Sequence, residues 1–139
     1  MNRKWIIWLC HGASGLAPLG WVFFTLYTRN SFQLEEFHAG RLAVCLVLSL
    51  APAVLFFLAQ ALGRETALSS LLAGGCFLLA AALWMYTIAG QWGLWNHSVT
   101  VGAITAGQRN ILRTAAVCGA ASGTLPPVYL VITGRWKKR

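Results

Sequence analysis

Charged residues are scarce in this sequence, and acidic residues are almost absent. Aspartate does not occur, and the only carboxylates belong to Glu35, Glu36 and Glu65. Charged residues form 10% of the 139-residue chain, whereas soluble domains carry about a quarter. A chain so poor in charge cannot cover itself with polar surface. The composition therefore excludes an ordinary water-soluble domain.

Motifs that carry chemistry are also missing. The sequence contains no P-loop, GxSxG, HExxH or GxGxxG pattern. No two of the four cysteines form a CxxC pair, and each lies inside an apolar run, which favours packing over redox or metal chemistry; they are Cys10, Cys45, Cys76 and Cys118. We predict a protein that is not an enzyme, without catalytic residues, metal ligands or cofactors.

Long apolar runs are what the sequence has in abundance, since 58% of its residues are hydrophobic. Four runs approach or exceed the roughly 20 residues that cross a hydrocarbon core. Backbone polar groups in lipid must be satisfied within the segment, so each run is expected to be helical. The sequence predicts an all-α integral membrane protein, a four-transmembrane-helix bundle in one domain over 1–139. The predicted helices cover about 5–27, 42–62, 67–89 and 111–133.

The distribution of basic residues predicts the orientation. With the N-terminus inside, the inner segments hold seven Lys and Arg residues and the outer segments hold four. The positive-inside rule therefore places both termini in the cytoplasm. The same rule accounts for the net charge of +8, and we predict no nucleic-acid partner. Small size and basic ends indicate a bacterial inner (plasma) membrane, so the lipid bilayer is the first predicted partner.

Three connections join the predicted spans. The four-residue link 63–66 is so short that we expect the second and third spans to be antiparallel neighbours. Outer loops are predicted at 28–41 and 90–110. The second of these is semi-apolar and rich in tryptophan and glycine. That composition is typical of an interfacial or re-entrant segment.

His11 is the candidate for function within a span. An ionisable side chain inside a membrane helix is a functional hypothesis by default. A proton relay, a ligand site or haem ligation would each use an imidazole. Haem ligation by two histidines would need a second intramembrane histidine, and His38 and His97 both lie in outer segments. A neutral ring bonded to a neighbouring helix is the structural alternative.

Two clusters of polar residues flank the predicted spans. Glu35, Glu36 and His38 form the densest group of ionisable side chains, and we interpret them as a contact patch for a protein partner, with a solvated outer loop as the alternative. Arg109 and Arg113 are four residues apart, so they share one helix face. They are candidates for holding an anionic lipid head group or a partner's carboxylate, with simple snorkelling to the head groups as the alternative.

The segment from Gly119 to Gly123 is a GxxxG pattern with only small residues between the glycines. Small side chains let helix backbones approach closely in lipid, so we predict helix packing at Gly119 and Gly123. The pattern is common in membrane helices and does not name the neighbouring helix.

These features favour a small polytopic inner-membrane protein that acts through helix–helix or loop contacts. It would be an accessory or assembly subunit of a membrane complex, or an immunity or exclusion protein that blocks a partner. The alternative is a small homo-oligomeric channel or transporter, which proline residues inside the spans and His11 would suit. No span contains Asp, Glu or Lys, and that disfavours an ion-coupled transporter.

Overall fold

The computed structural model describes residues 2–30, 39–63 and 67–133, and the regular structure in these ranges is entirely α-helical. The helices are α1 (Arg3–Ser14), α2 (Ala17–Asn30), α3 (Ala39–Leu62), α4 (Ala67–Thr100) and α5 (Ala106–Thr133). Four helical stretches are long and apolar enough to cross a membrane, with α1 and α2 together forming the first. The prediction of an all-α chain with four such helices is confirmed. Residues 31–38, which include Glu35, Glu36 and His38, lie outside the described residues.

The first predicted helix, 5–27, is two helices that meet at a turn. The amides of Gly15 and Leu16 donate to carbonyls three residues earlier, at 3.1 and 3.0 Å. Pro18 is the second residue of α2 and has no N–H, so it cannot donate to the carbonyl of Ser14. Proline is well accommodated in the first turn of a helix. The break therefore follows from Pro18, which lies three residues after Gly15.

The prediction of an outer loop at 90–110 is wrong for residues 90–100, because α4 continues through Thr100. The helix ends at Gly102, whose φ of 80° is the left-handed conformation of a helix-terminating glycine. The amide of Gly102 donates to Val99 at 3.1 Å, and the amide of Ala103 donates to Ser98 at 2.9 Å. These two bonds are those of a Schellman motif. The connection to α5 is therefore a tight turn.

The start of α5 is fixed by a reciprocal pair of hydrogen bonds. The amide of Thr105 donates to Oε1 of Gln108 at 2.9 Å, and the amide of Gln108 donates to Oγ1 of Thr105 at 3.2 Å. This is a capping box, which satisfies two backbone donors at the helix N-terminus. It places the beginning of α5 five residues before the predicted position 111.

The arrangement of the four spans also differs from the prediction. The α1–α2 span packs against α3 and α4, while α5 packs against α3 and, most extensively, α4. The backbones of α3 and α4 do not run as a close pair. They lie diagonally across the bundle and meet through side chains, such as the rings of Phe56 and Phe77 at 5.6 Å. The expectation that the link 63–66 makes α3 and α4 direct neighbours is therefore wrong.

Aromatic rings fill the space between the spans. Phe24, Phe56, Phe77, Trp84 and Trp95 are all fully buried. The ring of Phe24 lies 4.8 Å from that of Trp84 and meets the ring of Trp95 edge-on at 6.1 Å. Tilted and edge-on pairs at these distances are the geometries that aromatic rings prefer. The rings tie α2, α3 and α4 together at the centre of the bundle.

The GxxxG pattern of α5 faces α4. A Cβ atom added to Gly119 would lie 2.5 Å from Cδ2 and from Cζ2 of Trp84. A Cβ atom added to Gly123 would lie 2.8 Å from the backbone nitrogen of Ala81. Both glycines therefore allow a close approach within the chain, and their small faces are occupied by α4.

Candidate functional site

His11 lies in a buried chain of polar side chains that joins three helices. Its ring, 6% exposed, extends from α1 toward α3, where Nε2 lies 3.2 Å from Nε2 of Gln60. The Gln60 amide also donates to Oγ of Ser70 on α4, at 3.1 Å. Gln60 and Ser70 are both almost fully buried. This His11–Gln60–Ser70 chain bridges the diagonal between α3 and α4 near Gly63.

The surroundings of the chain are tight on the side of the bundle interior. Phe56 meets the His11 ring edge-on at 6.1 Å. One turn further along α1, the hydroxyl of Ser14 donates to the carbonyl of Cys10 at 2.8 Å and approaches the carbonyl of Pro52 at 3.4 Å. The imidazole is therefore packed against α3, and Ser14 ties the end of α1 to the same helix.

The two ring nitrogens of His11 have different environments. Nε2 faces Gln60, whereas Nδ1 is buried and has no hydrogen-bond partner among the residues that the structure describes. A buried donor or acceptor without a partner costs about 1–3 kcal/mol in desolvation. Nδ1 is thus a buried polar atom without a partner among the described residues, and the Gln60 contact at Nε2 is the ring's polar attachment.

A groove runs beside this histidine on the outside of the bundle. It has a volume of about 200 Å³ and is open on one side. The His11 ring lines it, together with Trp8 and Gly12 of α1, the capping residue Gly15, and Ser69 and Leu72 of α4. Gly12 meets nothing within 4 Å of the position of a Cβ atom. Its lack of a side chain therefore serves no packing against the described residues and leaves the groove wide.

Arg109 and Arg113 are held within the chain near the turn between α4 and α5. Arg109 Nη1 donates to Oδ1 of Asn96 at 2.9 Å. Arg113 Nη2 donates to the carbonyl of Trp92 at 3.2 Å, and its guanidinium carbon lies 4.5 Å from the centre of the Trp92 ring. The geometry is that of a cation–π contact. Both arginines therefore brace the α4–α5 turn, although their half-exposed side chains still present charge there.

The outer face of α4 carries a regular pattern of small residues. Gly75, Ala82 and Ala89 are exposed and recur every seven residues. We call these three residues the α4 seam. Larger exposed side chains flank it, among them Leu79 at 54% and Tyr86 at 76% exposure. A seven-residue repeat keeps one face of a helix aligned with a second helix.

Tyr86 is the exception on this apolar face. It is the twentieth of the 34 residues of α4, and its phenol group has no hydrogen-bond partner in the described part of the chain. In water such an exposed tyrosine would need no explanation. On a helix apolar enough to cross a membrane, an unbonded hydroxyl group is disfavoured wherever it faces hydrocarbon.

Sequence reasoning found His11 but missed Gln60, Ser70 and Tyr86. Gln60 was detectable as an amide inside an apolar run, a position where a hydrogen-bond partner is required. Ser70 gave no signal of its own. The outward direction of Tyr86 depends on the rotation of α4, and that helix is too uniformly apolar to reveal it.

Within the described residues, no three His, Cys, Asp or Glu side chains come together as metal ligands would. Comparisons with protein families, curated proteins and solved structures found no match to this chain. The described structure presents two surface features that no helix of the chain occupies. These are the small-residue surface of the α4 seam beside Tyr86 and the groove beside His11.

Proposed function

We propose that the protein lies in a bacterial inner membrane with both termini in the cytoplasm. It acts there as an accessory subunit of a membrane complex or as an immunity-type protein. It binds a transmembrane helix of another membrane protein along the α4 seam. The observation that carries this proposal is Tyr86, an exposed and unbonded phenol group beside Gly75, Ala82 and Ala89. A partner helix on the seam would cover the phenol group and supply its hydrogen bond.

Glycine usage supports the same conclusion. Gly119 and Gly123 are explained by close approach to α4, but Gly75 has open space where its side chain would be. Glycine disfavours a helix by about 1 kcal/mol relative to alanine in its interior. An exposed glycine in a regular pattern on a helix surface is useful because it allows a second helix to approach closely.

The filled interior weighs against transport by a single copy. The space between the spans holds fully buried rings, including Trp84, Trp95 and Phe24. A solute crossing the membrane through one bundle would have to displace them.

Arg109 and Arg113, braced against α4, would lie at the rim of the helix contact and add a polar anchor for the partner.

Photocrosslinking from position 86 tests the proposal. A photoreactive phenylalanine analogue replaces Tyr86 in the full chain, in its native membrane, and crosslinked products are identified by mass spectrometry. We expect a crosslink to a transmembrane segment of another protein. Ala82→Leu, which fills the seam, should abolish that crosslink.

Ala121→Leu is the matched control, because Ala121 is also exposed but lies on α5. It should leave the crosslink unchanged. Crosslinks only between copies of this chain would replace the accessory role with a homo-oligomer. Equal crosslinking in Ala82→Leu and Ala121→Leu would refute the seam as the contact. The orientation is tested separately by a cytoplasm-dependent fluorescent protein fused after Arg139, which should fluoresce.

A further inference from the structure

The seven-residue spacing of the α4 seam continues to a polar residue. Seven residues after Ala89 comes Asn96, which is also exposed. Its side-chain oxygen accepts from Nη1 of Arg109 at 2.9 Å. One helical turn earlier on the same face of α4, the carbonyl of Trp92 accepts from Nη2 of Arg113 at 3.2 Å. Two guanidinium groups from α5 therefore lie at this end of the seam.

The contacts of Arg109 fix its charge without neutralising it. Its Nε and Nη2 atoms donate to Oδ1 of Asn110, at 3.3 and 3.2 Å, in addition to the bond from Nη1 to Asn96. Each Nη atom of a guanidinium group carries two hydrogens, and these bonds use only one on each. Arg109 can therefore donate to a further acceptor without leaving its present position.

The other end of the seam is apolar and is also bordered by α5. A groove of about 200 Å³ lies there, lined by Gly75 and Leu78 of α4 and by Pro127 and Leu130 of α5. Gly75 and Asn96 are 21 residues apart, about 32 Å along the axis at 1.5 Å per residue. That distance matches the thickness of a hydrocarbon core, about 30 Å. A helix on the seam would therefore meet α5 at both ends, over the apolar groove and at the guanidinium groups.

We infer that the partner helix carries a carboxylate, from Asp or Glu, that binds Arg109 and Arg113 at the end of the seam. This inference rests on the proposed function and adds the chemistry of the partner and its register. Tyr86 and Asn96 are ten residues apart, about 15 Å along the axis. The carboxylate therefore lies about ten residues from the partner residue that covers Tyr86. At the other end of the same face, a large apolar side chain enters the groove beside Gly75.

Charge complementarity favours a carboxylate over a neutral acceptor. The described residues include no Asp or Glu, so within them the guanidinium groups contact neutral amides, a carbonyl and an aromatic ring. A carboxylate accepts two parallel hydrogen bonds from a guanidinium group, and such bonds are about twice as strong as neutral ones. A charge on a transmembrane helix is costly without a partner. Both chains would therefore gain from the pair.

The test compares crosslinking from position 86 between variants of the full chain, in the native membrane and below saturation of the native yield. Arg109→Gln with Arg113→Gln, the glutamine pair, removes both charges. It should lower the yield at least about tenfold, since one hydrogen bond to a charged group contributes that much. Arg109→Lys with Arg113→Lys, the lysine pair, keeps both charges and should retain at least about a third of the yield. Arg41→Gln is the matched control, because Arg41 is exposed in a cleft between α2 and α3, and it should change nothing.

The sequence of the crosslinked segment is the second readout. Asp or Glu should lie one to two heptads from the residue that reacted with position 86. A segment without a carboxylate there, or equal yields in the glutamine pair and Arg41→Gln, would overturn this inference and leave the seam contact standing. An equal loss in both pairs would also overturn it, because the arginines would then only hold the α4–α5 turn. A native chain that crosslinks to no other protein would overturn this inference and the proposed function together.

Two other anions are distinguished by further measurements. Glu35 and Glu36 lie outside the described residues, so the glutamine pair is also measured in a chain with Glu35→Gln and Glu36→Gln. The loss of crosslinking should persist there, and its disappearance would assign the counter-charge to this chain and overturn the inference. Native mass spectrometry detects bound phospholipid. An anionic lipid that is lost in the glutamine pair while the crosslink is unchanged would show that the arginines bind a phosphate, and the inference would again be wrong.

Discussion

Gly119→Ala should destabilise the bundle, although it adds a single methyl group. The new Cβ atom would lie 2.5 Å from two atoms of the Trp84 ring, which is fully buried against Phe24. Carbon atoms pack without strain at about 3.5 Å or more. The ring or the helix must therefore move by about 1 Å, and Phe24 blocks the ring on its other side.

Overpacking of this kind in a filled core costs about 1–3 kcal/mol. The higher helix propensity of alanine would offset at most about 1 kcal/mol of that strain. We expect a net loss of about 1–2 kcal/mol in the free energy of unfolding. The assay is reversible unfolding of the purified chain in mixed micelles by sodium dodecyl sulfate, followed by tryptophan fluorescence.

Two further variants separate the clash from a general effect of replacing glycine. Gly75→Ala should not lower the free energy of unfolding, because its Cβ would enter open space. Trp84→Leu removes the ring, so Gly119→Ala should cost little more in that background. The double-mutant cycle should show a coupling of about 1–2 kcal/mol. Equal losses in Gly119→Ala and Gly75→Ala, or no coupling to Trp84, would refute the contact.

Three other expectations follow from polar contacts and use the same unfolding assay. Thr105→Ala removes the capping box with Gln108 and should cost about 0.5–2 kcal/mol. Gln60→Leu leaves its buried polar neighbours without their amide partner and should cost about 1–3 kcal/mol, and an unchanged midpoint would mean that the neighbours find other partners. Arg113→Ala removes the cation from Trp92 and should shift the fluorescence of that tryptophan. The free energy of unfolding should fall by no more than about 1 kcal/mol at this half-exposed site. An unchanged spectrum would contradict the contact.

The four spans were predictable because lipid demands long apolar helices, and the run lengths met that demand. The end of α4 was missed because Gly90 and Gly93 suggested a loop, whereas glycine is tolerated inside membrane helices. The true signals lay further along the chain. Gly102 terminates α4, and Thr105 with Gln108 begins α5. Both the terminating glycine and the Thr-x-x-Gln capping box are recognisable in the sequence.

Pairings between distant helices were not predictable. A short link made α3 and α4 look like neighbours, but a four-residue connection also reaches across a diagonal. The candidate site depends on that diagonal, since Gln60 and Ser70 come from these two helices. Sequence alone identified His11 as an unusual residue, and only the packing revealed its contact with Gln60.

The diagonal separation of α3 from α4 has a consequence for synthesis of the chain. The helix that packs against both of them is α5, which leaves the ribosome after the other three spans. Until it arrives, α4 lacks its most extensive neighbour, and the Trp84 ring lacks the glycine surface that covers it. The first three spans can therefore be inserted in the membrane, but they cannot close into the final bundle. A chain interrupted before Gly119 would leave the Trp84 ring without its cover.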